Sequence, residues 1–102
     1  MLIGKVVGTV VASQKDEKME GMKFLVLKAI DAEGREGSGY VVAVDAMGAG
    51  LGELVLYATG SSARQTTLTD KRPCDAVIMA IIDQWEVGGV VKYRKVTGDY
   101  QS

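Results

Sequence analysis

"VDAMGAGLGELVLYATGSSAR", Val44–Arg64, sets two glycine-rich turns around a short apolar run, "ELVLYAT". Gly48, Gly50 and Gly52 form G-x-G-x-G. The dinucleotide fingerprint needs G-x-G-x-x-G opening a helix, but position 53 is Glu and a strand-like run follows. A phosphate loop would end in Gly-Lys-Ser/Thr, a tripeptide this chain lacks. The glycines therefore read as shaping residues that permit positive φ and close backbone approach. Asp45 just before them is placed to accept hydrogen bonds from the loop N–H groups. Strand, glycine turn, strand is the grammar of an all-β domain.

The flanking sequence fits. In "LIGKVVGTVVA" the even positions Leu2, Gly4, Val6, Gly8, Val10 and Ala12 are apolar or small, a period of two that predicts one inward face. Gly4 and Gly8 suggest a coiled strand that turns a barrel corner. "QKDEKMEG" (14–21) is a charged connector, and "MKFLVLKAID" is a second strand, apolar on both faces over Phe24–Leu27. "DAEGREGSG" (31–39) reads as a turn, "YVVAVD" as a third strand and "ELVLYAT" as a fourth. Ser61 or Ser62 is placed to cap a short helix in "GSSARQTTL", which "DKRP" ends. "DAVIMAIID" is a fifth strand, apolar enough for burial on both faces. "WEVGGVVKYRKV" is a glycine-broken strand or hairpin, and "TGDYQS" a polar tail. The expected fold is mainly β: a small closed five-stranded OB-like barrel with one short helix, whose closure removes exposed strand edges.

Composition limits the function. At 102 residues the chain supports one domain, and 47% hydrophobic residues make it globular. A formal net charge of −1 argues against a general nucleic-acid or membrane-surface binder, although Lys92, Arg94 and Lys95 form a local basic patch. No histidine is present, which removes the commonest general base and metal ligand. The single cysteine, Cys74, has no internal disulfide partner and suits a reducing cytoplasm. The N-terminus lacks a signal-peptide layout, and the longest apolar run, 76–82, is far short of a membrane span; a cytosolic protein is expected.

No catalytic constellation survives. "GSSAR" is half a nucleophile elbow, but Arg64 replaces the closing glycine and no histidine activates Ser62. Cys74 lacks a base for the same reason, although Lys71 and Arg72 are placed to lower its pKa. Asp75 and Asp83 stand eight residues apart on one strand, roughly 26 Å, too far for a shared acid–base pair. Binding to single-stranded nucleic acid needs aromatic platforms in a basic groove. Phe24, Tyr40, Tyr57, Trp85, Tyr93 and Tyr100 are scattered, and only Tyr93 lies among basic residues. An OB-type single-strand-binding module is nevertheless the alternative reading.

The combination D-x-x-G-x-G-x-G-E (45–53), then G-S-S-A-R (60–64), then "CDAVIMAIID" resembles the EutN/CcmL family, the pentameric vertex proteins of bacterial microcompartment shells. The opening "MLIGKVVGTVVAS" is similar too, and the resemblance extends over about residues 1–88. It implies a barrel domain over 1–88 and a C-terminal strand and tail, 89–102, at the subunit interface. It implies a cyclic homopentamer that caps shell vertices among hexameric tiles, a structural role without catalysis, cofactor, metal, nucleic acid or membrane. Carried onto this chain, Gly60, Ser61, Ser62 and Ala63 line the five-fold axis, and Asp45, Gly48, Gly50, Gly52, Glu53 and Arg64 shape a turn at the subunit boundary. Glu53 and Arg64 are expected to pair, within a subunit or across the boundary. The overall look leans toward a catabolic compartment. An apolar content high for so small a core is consistent with a heterologous ring interface, which closes without open ends.

Overall fold

The computed structural model describes residues 1–70, 72 and 74–95. Five strands form a barrel: β1 (Leu2–Val10), β2 (Phe24–Ile30), β3 (Glu36–Asp45), β4 (Leu54–Thr59) and β5 (Ala76–Ile81), in the order β1-β2-β3-β5-β4 with β4 returning to β1. Every pairing is antiparallel except β3–β5, which is parallel and consists of only two pairs, Val44↔Val77 and Asp45↔Ile78. A hairpin, β6 (Gln84–Val87) and β7 (Val90–Arg94), forms a separate two-stranded sheet joined by Gly88–Gly89. A hairpin is thus the form taken by the glycine-broken segment, and a domain boundary at 88/89 falls inside its turn. Residues 96–102 of the expected tail lie outside the described residues. The short helix is a single 3₁₀ turn, Gly60–Arg64, and a second covers Glu17–Met19. No helix among the described residues is long and apolar enough to cross a membrane.

The period-two reading of β1 holds only at its start. Gly4 and Val6 are buried, but Leu2, Val10 and Ala12 are exposed. Against β2, Val6 faces Leu27 while Gly8 faces Val26, so Val7 is an extra residue. This bulge reverses the inside–outside parity from Gly8 onward and bends the strand. At Gly4 a different constraint applies. A Cβ there would sit 2.9 Å from the ring of Tyr57, which is 2% exposed and has no room to withdraw.

Other boundaries moved for local reasons. The expected turn at 31–39 is confined to 31–35. One Asp31 carboxylate oxygen accepts from the N–H groups of Glu33 and Arg35, each at 2.9 Å, and the other from Arg35 Nε at 3.2 Å. The turn closes early and β3 begins at Glu36. Neither Ser61 nor Ser62 caps the 3₁₀ turn. Its N-cap is Thr59, without a side-chain bond, and Gly60 N–H donates to the Asp75 carbonyl at 2.8 Å instead.

Three apolar clusters stack along the molecule. Val6, Leu25, Leu27, Val55, Tyr57 and Ile78 fill the barrel. Met22, Val44, Ala58, Ala63 and Val77 pack outside it, beneath the 3₁₀ turn. Ile30, Leu54, Ile82 and Tyr93 close the far end, with Trp85 against them. Ala76, Val77 and Ile78 are consecutive and all buried because Ala76 and Ile78 face inward while Val77 enters the outer cluster. The two-sided burial expected of β5 holds there.

Replacing Gly4 by Val should destabilise the fold by about 1–3 kcal/mol through overpacking, with Gly4→Ala at the lower end. Urea denaturation followed by Trp85 fluorescence measures it; an unchanged midpoint for Gly4→Val would show that the Tyr57 ring moves freely.

Candidate functional site

The glycine turn is built around Asp45. Its side chain is almost wholly buried, and its carboxylate accepts from three successive N–H groups: Met47 at 2.9 Å, Gly48 at 3.1 Å and Ala49 at 3.0 Å. The expected acceptor role therefore holds. Charge-assisted bonds of this kind are roughly twice as strong as neutral ones. Lys23 Nζ stands 3.9 Å away but is mostly exposed, so it adds little. Gly48 and Gly52 adopt φ of 76° and 85°, which L side chains avoid. Gly50 does not have positive φ. Its N–H donates to the Glu53 carboxylate, and a Cβ would lie 3.5 Å from that oxygen. Gly52 N–H and Glu53 C=O then bond to Val6, tying the turn to β1.

Glu53 and Arg64 do not pair within the subunit. Glu53 Oε2 meets Lys95 Nζ at 2.6 Å, and Arg64 Nη1 donates to the Cys74 carbonyl at 3.1 Å. The Lys95 partner escaped the sequence reading because 42 residues separate the two, with no local spacing to signal them. Lys95 and the Gly50 N–H lower the Glu53 pKa, in that order, and Glu53 in turn raises that of Lys95. Trp85 is a second anchor missed in the sequence: its Nε1 donates to the Ala32 carbonyl at 2.8 Å and its ring stacks on Tyr93 at 5.4 Å.

The local basic patch is largely spent inside the molecule. Lys92 pairs with Glu33 at 2.7 Å, Lys95 with Glu53, and Arg94 Nε bonds Gln84 at 3.4 Å. Tyr57 and Tyr93 are buried, and Tyr100 lies outside the described residues. Burial raises the Cys74 thiol pKa despite the opposing pull of Arg64, reversing the expected activation by neighbouring cations; Lys71 lies outside the described residues.

Of the four residues assigned to an axis, Gly60, Ser61 and Ser62 are exposed and free to line an opening. Ala63 is not. It is 0% exposed in the cluster beneath the 3₁₀ turn, so its side chain belongs to the subunit's own core.

A family model described as "Ethanolamine utilisation protein EutN/carboxysome" matches residues 1–83. The carboxysome shell vertex protein CcmL of Gloeobacter violaceus is 50% identical over 95 residues, 93% of this chain and 95% of the relative. A solved structure of Gloeobacter violaceus CcmL superposes with a TM-score of 0.90, covering 93% of this chain and 98% of that one. The GrpN pentameric microcompartment shell protein from Rhodospirillum rubrum matches at 39% identity and a TM-score of 0.78, covering 85% of this chain and 99% of that one. EutN of Salmonella typhimurium, a bacterial microcompartment shell vertex protein, is 36% identical over 93% of this chain and 96% of the relative. The identity to the Gloeobacter violaceus carboxysome relative is higher than that to EutN.

Asp45→Ala should cost on the order of 1.5–3 kcal/mol, the range for hydrogen bonds to a charged group, with Asp45→Asn losing less; urea midpoints measure both, and equal stability of all three proteins would remove Asp45 from its organising role. Glu53 titrates below its usual 4.5 when folded, so its contribution is complete above that pH and is lost as pH falls through the lower folded value. Lys95 titrates above its usual 10.5, so its share is present below that pH and is lost as pH rises through the higher folded value. Trp85 fluorescence, titrated downward from pH 7, should report an acid-induced loosening that Glu53→Gln removes. Identical acid limbs in the two proteins would detach Glu53 from the hairpin.

Proposed function

The chain belongs to the EutN/CcmL family, and we propose that it is a shell vertex subunit of a bacterial microcompartment, five copies closing into a ring that caps a corner of the shell. The observation that carries this reading is a relative named a carboxysome shell vertex protein, 50% identical over 93% of this chain. The pentameric relative from Rhodospirillum rubrum supports the ring. The role is structural, its place is the shell of a cytoplasmic compartment, and hexameric shell tiles would surround it. The level of identity to CcmL favours a compartment of the carboxysome kind.

The surface suits assembly. Val11 and Leu51 are 92% and 70% exposed, and Tyr40 and Val42 are 64% and 50% exposed on one strand. A small chain that leaves such residues in water gains by burying them against copies of itself. In this reading Gly60, Ser61 and Ser62 lie around the axis, where five copies leave room only for small residues. Asp45, Gly48, Gly50, Gly52 and Glu53 form the turn beside the boundary, with Arg64 in the 3₁₀ turn at that same boundary, and residues 89–95 belong to the interface. The single-strand-binding alternative is not favoured: Lys92 and Lys95 already have carboxylate partners, and Tyr93 is buried.

Native mass spectrometry across a range of concentrations tests the reading. A dominant species at five times the chain mass is expected, and Ser62→Trp should reduce it by crowding the axis with five rings. A wild-type chain that stays monomeric would overturn the ring. Normal assembly of Ser62→Trp would move Ser62 off the axis.

A further inference from the structure

Two segments outside the strands share one apolar cluster. The first is the charged connector between β1 and β2, which is ordered locally. The Asp16 carboxylate caps its 3₁₀ turn by accepting from Lys18 N–H at 2.9 Å. Met19, Glu20 and Met22 N–H each donate to the carbonyl three residues back, at 2.9, 3.2 and 3.2 Å. Over residues 14–22 Met22 is buried, Met19 and Lys15 are half-buried, and the rest are exposed. The second segment is the Gly60–Arg64 turn. Gly60 N–H donates to the Asp75 carbonyl at 2.8 Å and Gln65 N–H to that of Ser62 at 3.3 Å, and the turn buries Ala63. Met22 and Ala63 enter the same cluster, with Met19, Leu68 and Cys74 packed against it. Its remaining members, Val44, Ala58 and Val77, are carried by β3, β4 and β5.

A polar path joins the same two segments. Arg72 Nη1 donates to the Glu20 carbonyl at 3.0 Å, across 52 residues of sequence. The Arg72 carbonyl accepts from Cys74 N–H at 2.9 Å, and the Cys74 carbonyl accepts from Arg64 Nη1 at 3.1 Å. Between the ends of this path the Thr66 and Thr69 hydroxyls lie 2.6 Å apart, with Thr69 fully buried, and Thr69 C=O accepts from Arg72 N–H at 3.0 Å. Glu20 is thereby tied to Arg64 through a short series of bonded groups.

Neither segment can leave alone at low cost. Lifting the connector withdraws Met19 and Met22, uncovers Ala63 and deprives Arg72 of its acceptor. Lifting the turn uncovers Met22. Interiors are close-packed, and a vacated site collapses only in part. The strand residues of the cluster keep their ladder bonds in either case. Local opening begins where buried apolar contacts are few and backbone bonds face solvent, a description that fits both segments and not the barrel. We infer that residues 14–22 and the Gly60–Arg64 turn form one cooperative unit, which opens and closes as a whole above an intact barrel. The exposed charged surface of the connector, Glu17, Lys18 and Glu20, then controls the order of Ser61 and Ser62. The shared opening is a property of the single chain; its bearing on an aperture at the axis rests on the ring proposed above.

Native-state hydrogen exchange, read peptide by peptide with mass spectrometry, tests the unit. Met22→Ala changes the connector alone. Exchange over 60–66 should nevertheless rise together with that over 14–22 and by the same factor, about tenfold or more for loss of a buried methionine side chain. β1 and the β6–β7 hairpin should keep their wild-type rates. Arg72→Ala leaves the apolar cluster in place and should raise both segments by a smaller common factor, about two- to tenfold. A rise confined to 14–22 in Met22→Ala, or a rise in only one of the two segments in Arg72→Ala, would separate them and overturn the inference. An equal rise throughout β1 would also overturn it, because the connector would then open only with the whole barrel. In a chain that stays monomeric the shared rise would still establish the unit, and only its bearing on an aperture would fall with the ring.

Discussion

Closure of the barrel depends on one short stretch, Val44–Asp45 against Val77–Ile78. Among the described residues these two parallel pairs are the only bridge between the β1-β2-β3 and β4-β5 halves on that side, and Asp45 serves both the bridge and the loop that follows. Its backbone N–H donates to the Lys23 carbonyl at 2.8 Å, while its carboxylate gathers three loop N–H groups. The same residue thus ends β3 and fixes the direction in which the chain leaves for β4. A buried carboxylate stripped of those donors would be costly, so the turn and the closure stand or fall together.

Glu53 extends this organisation to the other end of the sequence. It sits at the exit of the glycine turn, bonds the turn's own Gly50 N–H and holds Lys95 at the base of the hairpin. The hairpin is also pinned by the Trp85 indole and by Lys92 on Glu33. Individually, exposed ion pairs contribute little. Together with the apolar cluster of Ile30, Leu54, Ile82 and Tyr93 they fix the hairpin base and leave only its tip unsupported.

This division between a satisfied interior and an unsatisfied rim is what a structural building block requires. The buried polar side-chain atoms among the described residues have partners. Of the cations that resemble a nucleic-acid patch in one dimension, Lys92 and Lys95 are paired with carboxylates in three, and Arg94 bonds the Gln84 side-chain oxygen. Several large apolar side chains also remain in water: valines of the hairpin tip, the outer residues of β3, and Leu51 in the glycine turn. A shell corner assembled from identical copies has use for such a surface, whereas a free monomer does not.

The sequence by itself determined the strands, because period-two patterning and glycine punctuation are local and survive without knowledge of the partner. It also determined the Asp45 turn, whose donors lie within four residues, and its D-x-x-G-x-G-x-G-E and G-S-S-A-R blocks were enough to place the family. Tertiary structure decided whatever depended on distance along the chain or on a broken period. The bulge at Val7 flips the later half of β1, and nothing in "KVVGTV" announces where a register will slip. Ala63 reads as one small residue among several in "GSSAR", and only the packing of Val44, Ala58 and Val77 around it puts it in the core rather than at an opening. Glu53 found Lys95 rather than Arg64 because the hairpin folds back over the barrel end. An ion pair is set by proximity in space, which one-dimensional spacing does not encode.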